Sequence, residues 1–459
     1  MSTQQKWFCF FVSSLVLCIP AFYNGFPFLF PDTVGYIDSG FENRVGNART
    51  WLYAGFLRHS SLWESLWIVI FAQGMLVSGT VYLMFKYFFE EKKLELSFIS
   101  YLLIVGTTTA VSFHVSMIMP DIFTPIVILC FCLLIFSENM SRRDYWLVIF
   151  LFLFSSGTHN SHLVLNLGLV GGLAVGKLIK KWQPFYIKAG ITSRKIGFIT
   201  GLIVVTHFSV CAIHYSKGGD FAATRGGSIF LFARLCDFGI AQSYLNENCE
   251  EWGHDICNYV ERMTLGRHYL WAGTSYFNKT GNWTAENEAF YKELVWNILT
   301  TPKYLKKYMI SCIEATFMQF FSFESSPLSE MENSKENGPI GQVKNYFPNY
   351  YIAAYHSRQI QGNYDTIQIN LNNMVQQIVL YLAGFVLVLL FFDENYDKKQ
   401  KMLALFILLG MLINAFIAGA TSGVYSRYQS RVAWLITLPA FWYLFAIYRT
   451  KISDKLFKK

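Results

Sequence analysis

The sequence has few charged residues for its length. Only 15% of its 459 residues are Asp, Glu, Lys or Arg, whereas soluble globular proteins average about 25%. It also has no internal repeat, no proline-rich tract, no glycine–serine linker and no glycine-rich phosphate-binding loop. These absences exclude a disordered chain, a coiled coil and a soluble enzyme with an ordinary polar surface. They also give no support to a soluble nucleotide-binding domain.

Long apolar runs are what the sequence has instead. Hydrophobic residues make up 53% of the chain and aromatic residues 18%, and the mean hydropathy is +0.31. A membrane-spanning helix needs about 20 mostly apolar residues. The runs that reach or approach this length are 7–23, 63–85, 96–114, 119–137, 145–158, 162–178, 196–214, 373–392, 402–420 and 432–448. The sequence therefore predicts an all-α polytopic membrane protein with about ten transmembrane helices.

The distribution of Lys and Arg predicts the orientation of these helices. Basic residues gather after every second span, for example in 177–195 and in the C-terminal tail, and basic loops tend to face the cytoplasm. We therefore expect cytoplasmic N and C termini in an inner or plasma membrane. Such basic clusters are typical of topology signals and of contacts with anionic membrane lipids, and they do not indicate nucleic-acid binding.

This topology divides the chain into three parts. They are an N-terminal membrane domain of about seven spans (1–214) with a first outer loop (24–62), an extracytoplasmic segment (215–372), and a C-terminal membrane domain of about three spans (373–459). Inside the extracytoplasmic segment, 226–241 and 308–323 are apolar enough to be interfacial or buried helices. Either of them could also enter the membrane.

Two cysteines of the extracytoplasmic segment lie close together. Cys249 and Cys257 enclose a short loop on the oxidising side of the membrane, which favours a disulfide between them. His254 lies between the two, but the segment has no Cys-x-x-Cys pair, so a metal site is the weaker interpretation.

The first outer loop begins with two acidic residues, Asp32 and Asp38. A carboxylate just outside a membrane span can accept a proton from an incoming hydroxyl or bind a divalent metal. Asp32 could equally be the N-cap of a short helix, a position that Asp favours. Both interpretations are open from the residues alone.

The same loop continues with Arg44, Arg49, Arg58 and His59, which surround aromatic residues. A basic and aromatic stretch of this kind is typical of an interfacial helix. It also suits the phosphate of a lipid, so these four residues are candidates for substrate binding.

Two further outer turns carry ionisable side chains. Asp121 opens the span 119–137, either as a helix cap or as a functional carboxylate. His159 and His162 lie three residues apart, so they share one face if that turn is helical. The two imidazoles could bind phosphate, transfer protons or ligate a metal, or belong to a polar turn without a role.

Arg427 and Arg431 come just before the last span. They are four residues apart and point in the same direction in a helix. A pair of guanidinium groups suits phosphate, and two arginines on the outer side oppose the positive-inside tendency. We therefore predict that they bind an anionic group rather than only anchor the helix.

The order of these motifs resembles the GT-C superfamily of integral-membrane glycosyltransferases. The resemblance rests on Pro-Asp-Thr-x-x-Tyr at 31–36, Met-Pro-Asp at 119–121, the late extracytoplasmic segment, and Arg-Tyr-Gln-Ser-Arg at 427–431. It implies inverting transfer of a sugar from a polyprenyl-phosphate carrier, with Asp32 as base or metal ligand. Many members carry two acidic residues close together in this loop. Here Asp32 and Asp38 are six residues apart, so a divalent metal is possible but not required.

The sequence thus predicts a glycosyltransferase that moves a sugar from a polyprenyl-phosphate donor to a lipid-linked or glycan acceptor on the extracytoplasmic face. Asp32, Asp121 and Asp38 are its candidate catalytic residues. A transporter or flippase of a lipid-linked precursor is one alternative, although no inverted repeat is visible. A membrane acyl- or phospho-transferase is another, with His114 and His207 lying at or inside spans.

Overall fold

The computed structural model describes residues 3–46, 48–89, 94–263, 266–325, 338–364 and 366–457. Within these ranges the chain is helical and forms no β-strand. One isolated parallel bridge joins Phe28 to Met117.

The helices are numbered in chain order. The N-terminal part contains α1 (Thr3–Leu17), α2 (Ile19–Asn24), α3 (Thr33–Phe41), α4 (Trp51–Ser60), α5 (Leu66–Phe88), α6 (Leu94–Thr108), α7 (Val111–Val115), α8 (Phe123–Phe136), α9 (Arg142–Gly157), α10 (Ser161–Leu178), α11 (Gln183–Lys188) and α12 (Ser193–Ser216). The middle part contains α13 (Gly227–Asp237), α14 (Ile240–Trp252), α15 (Gly266–Trp271), α16 (Tyr276–Lys279), α17 (Ala285–Thr300), α18 (Pro302–Phe320), α19 (Pro339–Tyr346) and α20 (Tyr351–Tyr355). The C-terminal part contains α21 (Thr366–Phe392), α22 (Lys398–Thr421), α23 (Ser426–Ala433) and α24 (Thr437–Phe457). Short 3-10 segments lie at Pro120–Ile122, Lys180–Trp182, Asp255–Arg262, Pro348–Tyr350 and Trp434–Ile436.

All ten predicted apolar runs are helical, but the helices differ in length. Six helical segments of the described residues are long and apolar enough to cross a membrane: Leu66–Phe88, Ser161–Leu178, Ser193–Ser216, Ile367–Phe392, Lys398–Thr421 and Ser426–Arg449. This is the architecture of a helical membrane protein, with six such helices in the described residues where the sequence predicted about ten. The difference arises because some runs are short or interrupted. For example, the run 7–23 is divided between α1 and α2, and the run 96–114 between α6 and α7.

Helix α8 is at the centre of the bundle. Every residue from Phe123 to Phe136 is buried, and α5, α9, α12 and α22 pack around the helix. A helix that is apolar on all sides requires this central place. As a result, the short turn that precedes α8, Pro120–Ile122, is held inside the bundle rather than at its surface.

Loops from distant parts of the chain meet at one end of this bundle, which we call the loop end. One contact is the bridge between Phe28 and Met117. In another, the side-chain amide of Gln359 accepts a hydrogen bond from the N–H of Leu29 and donates one to its carbonyl. Gln73, buried in α5, donates to the carbonyl groups of Val115 and Met117 at 2.7 and 3.0 Å. These bonds fix the backbone that leads into the first loop helix, α3, and the segment 115–117 beside it.

The middle part has an apolar core of its own. Its buried side chains run from Ile229 to Tyr304 and come mainly from α13, α14 and α17. A disulfide joins Cys249 at the end of α14 to Cys257. The predicted apolar piece 226–241 contributes to this core through α13.

The other apolar piece of the middle part, 308–323, lies in or just after α18, which packs along the membrane helix α22. Met309, Ile313 and Phe317 remain exposed on this helix. At its end, Gln319 donates to the carbonyl of Tyr425 at 2.9 Å and accepts from its N–H at 2.8 Å. The middle part is thereby bonded to the segment that leads into α23.

We expect Gly419→Ala to destabilise the protein, because a Cβ there would lie 2.9 Å from the backbone carbonyl of Ala315. Backbone atoms cannot rotate away as a side chain can, so the strain should cost about 1–3 kcal/mol. Thermal unfolding of the purified protein in detergent measures the effect. Gly384→Ala is the matched control, since a Cβ at Gly384 meets no atom within 4 Å. Equal melting temperatures for the two variants would contradict the tight contact between α18 and α22.

Candidate functional site

Asp32 precedes α3 but does not cap it. Its side chain accepts no hydrogen bond from the first turn of the helix. That turn is instead organised by Thr33, whose hydroxyl accepts from the N–H of Phe30 at 2.9 Å and donates to the carbonyl of Ile118 at 3.1 Å. The Asp32 carboxylate points to two arginines, Arg49 and Arg427. Its geometry is therefore that of an ion-pairing group rather than a helix cap.

Arg49 makes the closer of these two contacts. Its guanidinium donates a short hydrogen bond to Asp32 and lies 5.6 Å from the ring centre of Tyr36. Burial acts to lower the pKa of Arg49, but the negative charge of Asp32 and its hydrogen bond with Arg49 outweigh burial and raise the pKa above its ordinary value. A glycine at position 35 makes room for this arrangement, because a Cβ there would lie 2.8 Å from the guanidinium.

Arg427 and Arg431 share a carboxylate at the centre of the bundle. Arg431 donates to Asp121 at 3.2 Å and to the side-chain carbonyl of Asn414 at 2.8 Å. Arg427 lies 3.5 Å from the other oxygen of Asp121 and 3.8 Å from Asp32. Asp121 does not occupy an N-cap position either, because Met119 is the N-cap of the 3-10 turn and Ile122 that of α8. Asp121 instead neutralises buried guanidinium groups.

The charges of this cluster do not balance. Three guanidinium groups (Arg49, Arg427 and Arg431) face two carboxylates (Asp32 and Asp121), which leaves one positive charge. Nη1 of Arg427 and Nε of Arg431 are buried without a hydrogen-bond acceptor. A buried donor without an acceptor is costly, so the cluster can gain free energy by binding an anion. We call these five residues the arginine–carboxylate cluster.

The two histidines of the turn between α9 and α10 have different surroundings. His162 is buried, and its Nδ1 donates to the carbonyl of Ser155 at 2.7 Å while Nε2 contacts the hydroxyl of Thr124 at 2.9 Å. Both of its ring nitrogens are therefore used inside the protein. His159 is only partly buried. Burial and the nearby charge of Arg431 lower the pKa of His159 to about 4, so its ring is neutral at pH 7 beside the cluster.

The remaining predicted site residues lie elsewhere. Asp38 pairs with Arg44 at 2.7 Å on the surface of the first loop. Arg58 donates to the carbonyl of Gly40 at 3.1 Å and covers the ring of Trp63. His59 is exposed in the last turn of α4. These four residues are not part of the arginine–carboxylate cluster: Asp38 and Arg44 pair with each other, Arg58 contacts Gly40 and Trp63, and His59 is exposed.

Two residues that help to form the cluster were not predicted. Asn414 orients Arg431 from within α22 and also donates to the carbonyl of Tyr428. Phe30 packs against the guanidinium of Arg427, and the centre of its ring lies 4.0 Å from Cζ of the arginine. An amide inside the apolar run 402–420 is unusual, and this signal was available in the sequence. Phe30 carried no such signal.

The cluster does not fit a divalent metal. Among the described residues, no three His, Cys, Asp or Glu side chains come together as a possible ligand set. The two carboxylates of the cluster are also in contact with guanidinium groups, which compete with a cation for the same oxygens. The chemistry of the cluster therefore rests on its guanidinium and carboxylate groups.

No protein family model, curated protein or solved structure matches this chain. The function must therefore be inferred from the geometry of the cluster and from the chemistry that its residues can support.

The lowered pKa of His159 predicts a pH-dependent stability. The unfolded histidine binds a proton below its ordinary pKa of 6.5, whereas the folded one does so only below about 4. The unfolded state thus binds more protons within this window, so the free energy of unfolding should fall as the pH decreases through it. In His159→Gln this dependence should be weaker, as measured by melting temperatures in detergent. His59→Gln is the control, and an equal pH dependence in the wild type and His159→Gln would contradict the prediction.

Proposed function

We propose that this protein is a membrane glycosyltransferase of the GT-C type, with about ten membrane helices. It would transfer a sugar from a polyprenyl-phosphate donor to a lipid-linked or glycan acceptor. The observation that carries the proposal is the arginine–carboxylate cluster, with its surplus positive charge beside a partly exposed carboxylate. The basic residues at the opposite ends of the helices support an extracytoplasmic place for the loop end.

Asp32 is the better candidate for the catalytic base. Its side chain is 31% exposed, whereas that of Asp121 is 3% exposed and in contact with both arginines of α23. A base must reach the proton that it accepts, and of the two carboxylates in the cluster Asp32 is the one that an acceptor at the surface can reach. Asp121 is then a positioning residue that holds Arg427 and Arg431 in place.

The reaction can be written with these residues alone. The hydroxyl oxygen of the acceptor attacks the anomeric carbon of the donor sugar, and the bond between that carbon and the phosphate oxygen breaks. The hydroxyl proton passes to Asp32. The carrier phosphate leaves with one more negative charge than it had in the phosphodiester. Arg427, whose Nη1 makes no hydrogen bond and lies 3.5 Å from Asp121, is the group that we expect to stabilise this added charge.

Arg49 connects donor binding to the base. Its guanidinium donates a hydrogen bond to Asp32, and this bond occupies a carboxylate oxygen that an acceptor hydroxyl would have to reach. A donor phosphate near Arg427 would compete for the Arg49 guanidinium. The Asp32 carboxylate would then become available when the donor is present, which limits unproductive proton transfer.

We expect Asp32→Asn to lower turnover by roughly 10²-fold or more, the usual contribution of a general base. The amide keeps the size of the side chain but cannot accept the proton. Transfer of a radiolabelled sugar from polyprenyl phosphate in detergent or proteoliposomes measures the effect.

Asp144→Asn provides the control, since it removes a carboxylate that pairs with Lys86 at the other end of α9. Wild-type turnover in Asp32→Asn would remove Asp32 from the mechanism. If the wild type binds the donor without transferring sugar to any acceptor, a lipid transporter would be the better assignment.

Arg427→Lys and Arg427→Ala test whether the arginines bind the donor phosphate. Lysine keeps the charge but has no planar guanidinium, so it should weaken donor binding, and alanine should weaken it further, by roughly 10- to 100-fold. Turnover should also fall, since the phosphate is charged in both the ground state and the transition state. Donor affinity is measured with a labelled polyprenyl-phosphate sugar.

Arg142→Lys is the matched control, because this arginine is exposed at the start of α9. If Arg427 only anchors the helix at the membrane interface, lysine should replace it without loss, since both side chains can reach the interface. Unchanged donor affinity in a well-expressed Arg427→Ala protein would refute the phosphate contact.

A further inference from the structure

A second cationic site lies beside the first loop. A pocket of about 190 Å³ opens between residues 44–46 and the segment 217–225 that follows α12. Its lining includes three cations, Arg44, Lys217 and Arg225, and one carboxylate, Asp220. One water needs only about 10–15 Å³ on the same measure, so the pocket has room for a polyatomic ion with its hydration.

The three cations are held in place by neighbours. Arg44 pairs with Asp38 and with Glu42, at 2.7 and 2.8 Å. Arg225 forms a short ion pair with Asp220. Side chains that are already ordered lose less entropy when they bind a ligand.

Lys217 is placed by two contacts. It donates to the side-chain carbonyl of Asn43 at 2.7 Å, and its ammonium lies 4.5 Å from the ring centre of Trp51. Neither contact neutralises its charge. Arg44 and Arg225 are each paired with carboxylates, so Lys217 supplies the positive charge of the pocket that its own contacts leave unneutralised.

His214 forms a neutral part of the pocket wall. Its Nδ1 donates to the carbonyl of Ala222 at 2.8 Å, and its Nε2 accepts from the N–H of Trp51 at 3.2 Å. An imidazole that accepts at Nε2 is neutral. The same bond ties the pocket to the start of α4, one residue from Thr50 and two from Arg49, which contacts Asp32.

We propose that this pocket binds a phosphate group, and that this phosphate belongs to the acceptor rather than to the donor. A fork of guanidinium groups together with an ammonium suits phosphate oxygens. The pocket and the arginine–carboxylate cluster are connected at the start of α4, where the N–H of Trp51 donates to His214 and nearby Arg49 donates to Asp32. An acceptor held in the pocket would therefore be presented towards the base. Phosphate binding follows from the pocket itself, whereas its assignment to the acceptor rests on the proposed function.

Binding of inorganic pyrophosphate tests the phosphate site without requiring activity. The full-length protein in detergent is titrated calorimetrically in the Arg427→Ala background, so that the arginine–carboxylate cluster contributes less. In the Arg427→Ala protein, we expect either Lys217→Met or Arg225→Gln to weaken pyrophosphate binding about tenfold. This is the loss typical of one charge-assisted hydrogen bond. Lys303→Met is the control, because Lys303 pairs with Glu247 in the middle part and should not affect binding.

Farnesyl diphosphate and farnesol distinguish a lipid phosphate from a free one. Tighter binding of farnesyl diphosphate than of pyrophosphate indicates a lipid-linked ligand, equal binding indicates a free phosphate group, and farnesol should not bind through this pocket. Pyrophosphate affinity that is unchanged by both Lys217→Met and Arg225→Gln, or no pyrophosphate binding at all, would overturn the proposal.

Kinetics then assign the site to a substrate. If the phosphate belongs to the acceptor, Lys217→Met should raise the acceptor KM several-fold and leave donor affinity unchanged. A rise in donor Kd instead would show that the pocket serves the donor. If pyrophosphate binds as expected but no sugar transfer occurs, the phosphate site stands and the proposed function fails.

Discussion

Arg427 and Arg431 lie buried inside a helical bundle, and a buried guanidinium is stable only with a carboxylate beside it. Asp121 meets this requirement for both arginines from the turn before α8. Removing one partner of such an arrangement typically costs about 3–5 kcal/mol. The ion pairs therefore bind α23 to the most buried helix of the bundle and fix where the remaining polar groups of the loop end can lie.

The two carboxylates of the cluster are held in different ways. Asp121 is enclosed, and its position depends on its ion pairs. Asp32 belongs to a loop whose backbone is fixed independently, by the bridge of Phe28 to Met117 and by the bonds of Gln359 to Leu29. Its side chain can therefore exchange partners without moving the backbone. Asp121 is therefore suited to holding the buried arginines in place, and Asp32 to contacting a bound molecule.

The sequence predicted the helical membrane architecture well, because long apolar runs have few other uses. It also singled out all five members of the arginine–carboxylate cluster, since an ionisable residue beside an apolar run is conspicuous. It did not separate Arg49 from Arg44 and Arg58, which share a loop but point to different partners. Asn414 was missed although an amide inside an apolar run is a signal in itself; what the sequence could not show was its partner, Arg431, which lies on a different helix. The breaks that divide the runs 7–23 and 96–114 were not visible in composition alone.

The paired hydrogen bonds between Gln319 and Tyr425 have a mechanical consequence. Tyr425 is two residues from Arg427, and Gln319 is in the last turn of α18, which rests on α22 through Ala315 and Gly419. A tilt of α18 must therefore either break both bonds or pull on the segment that positions the guanidinium. Through these two hydrogen bonds, a displacement of the middle part would be transmitted into the interior of the bundle.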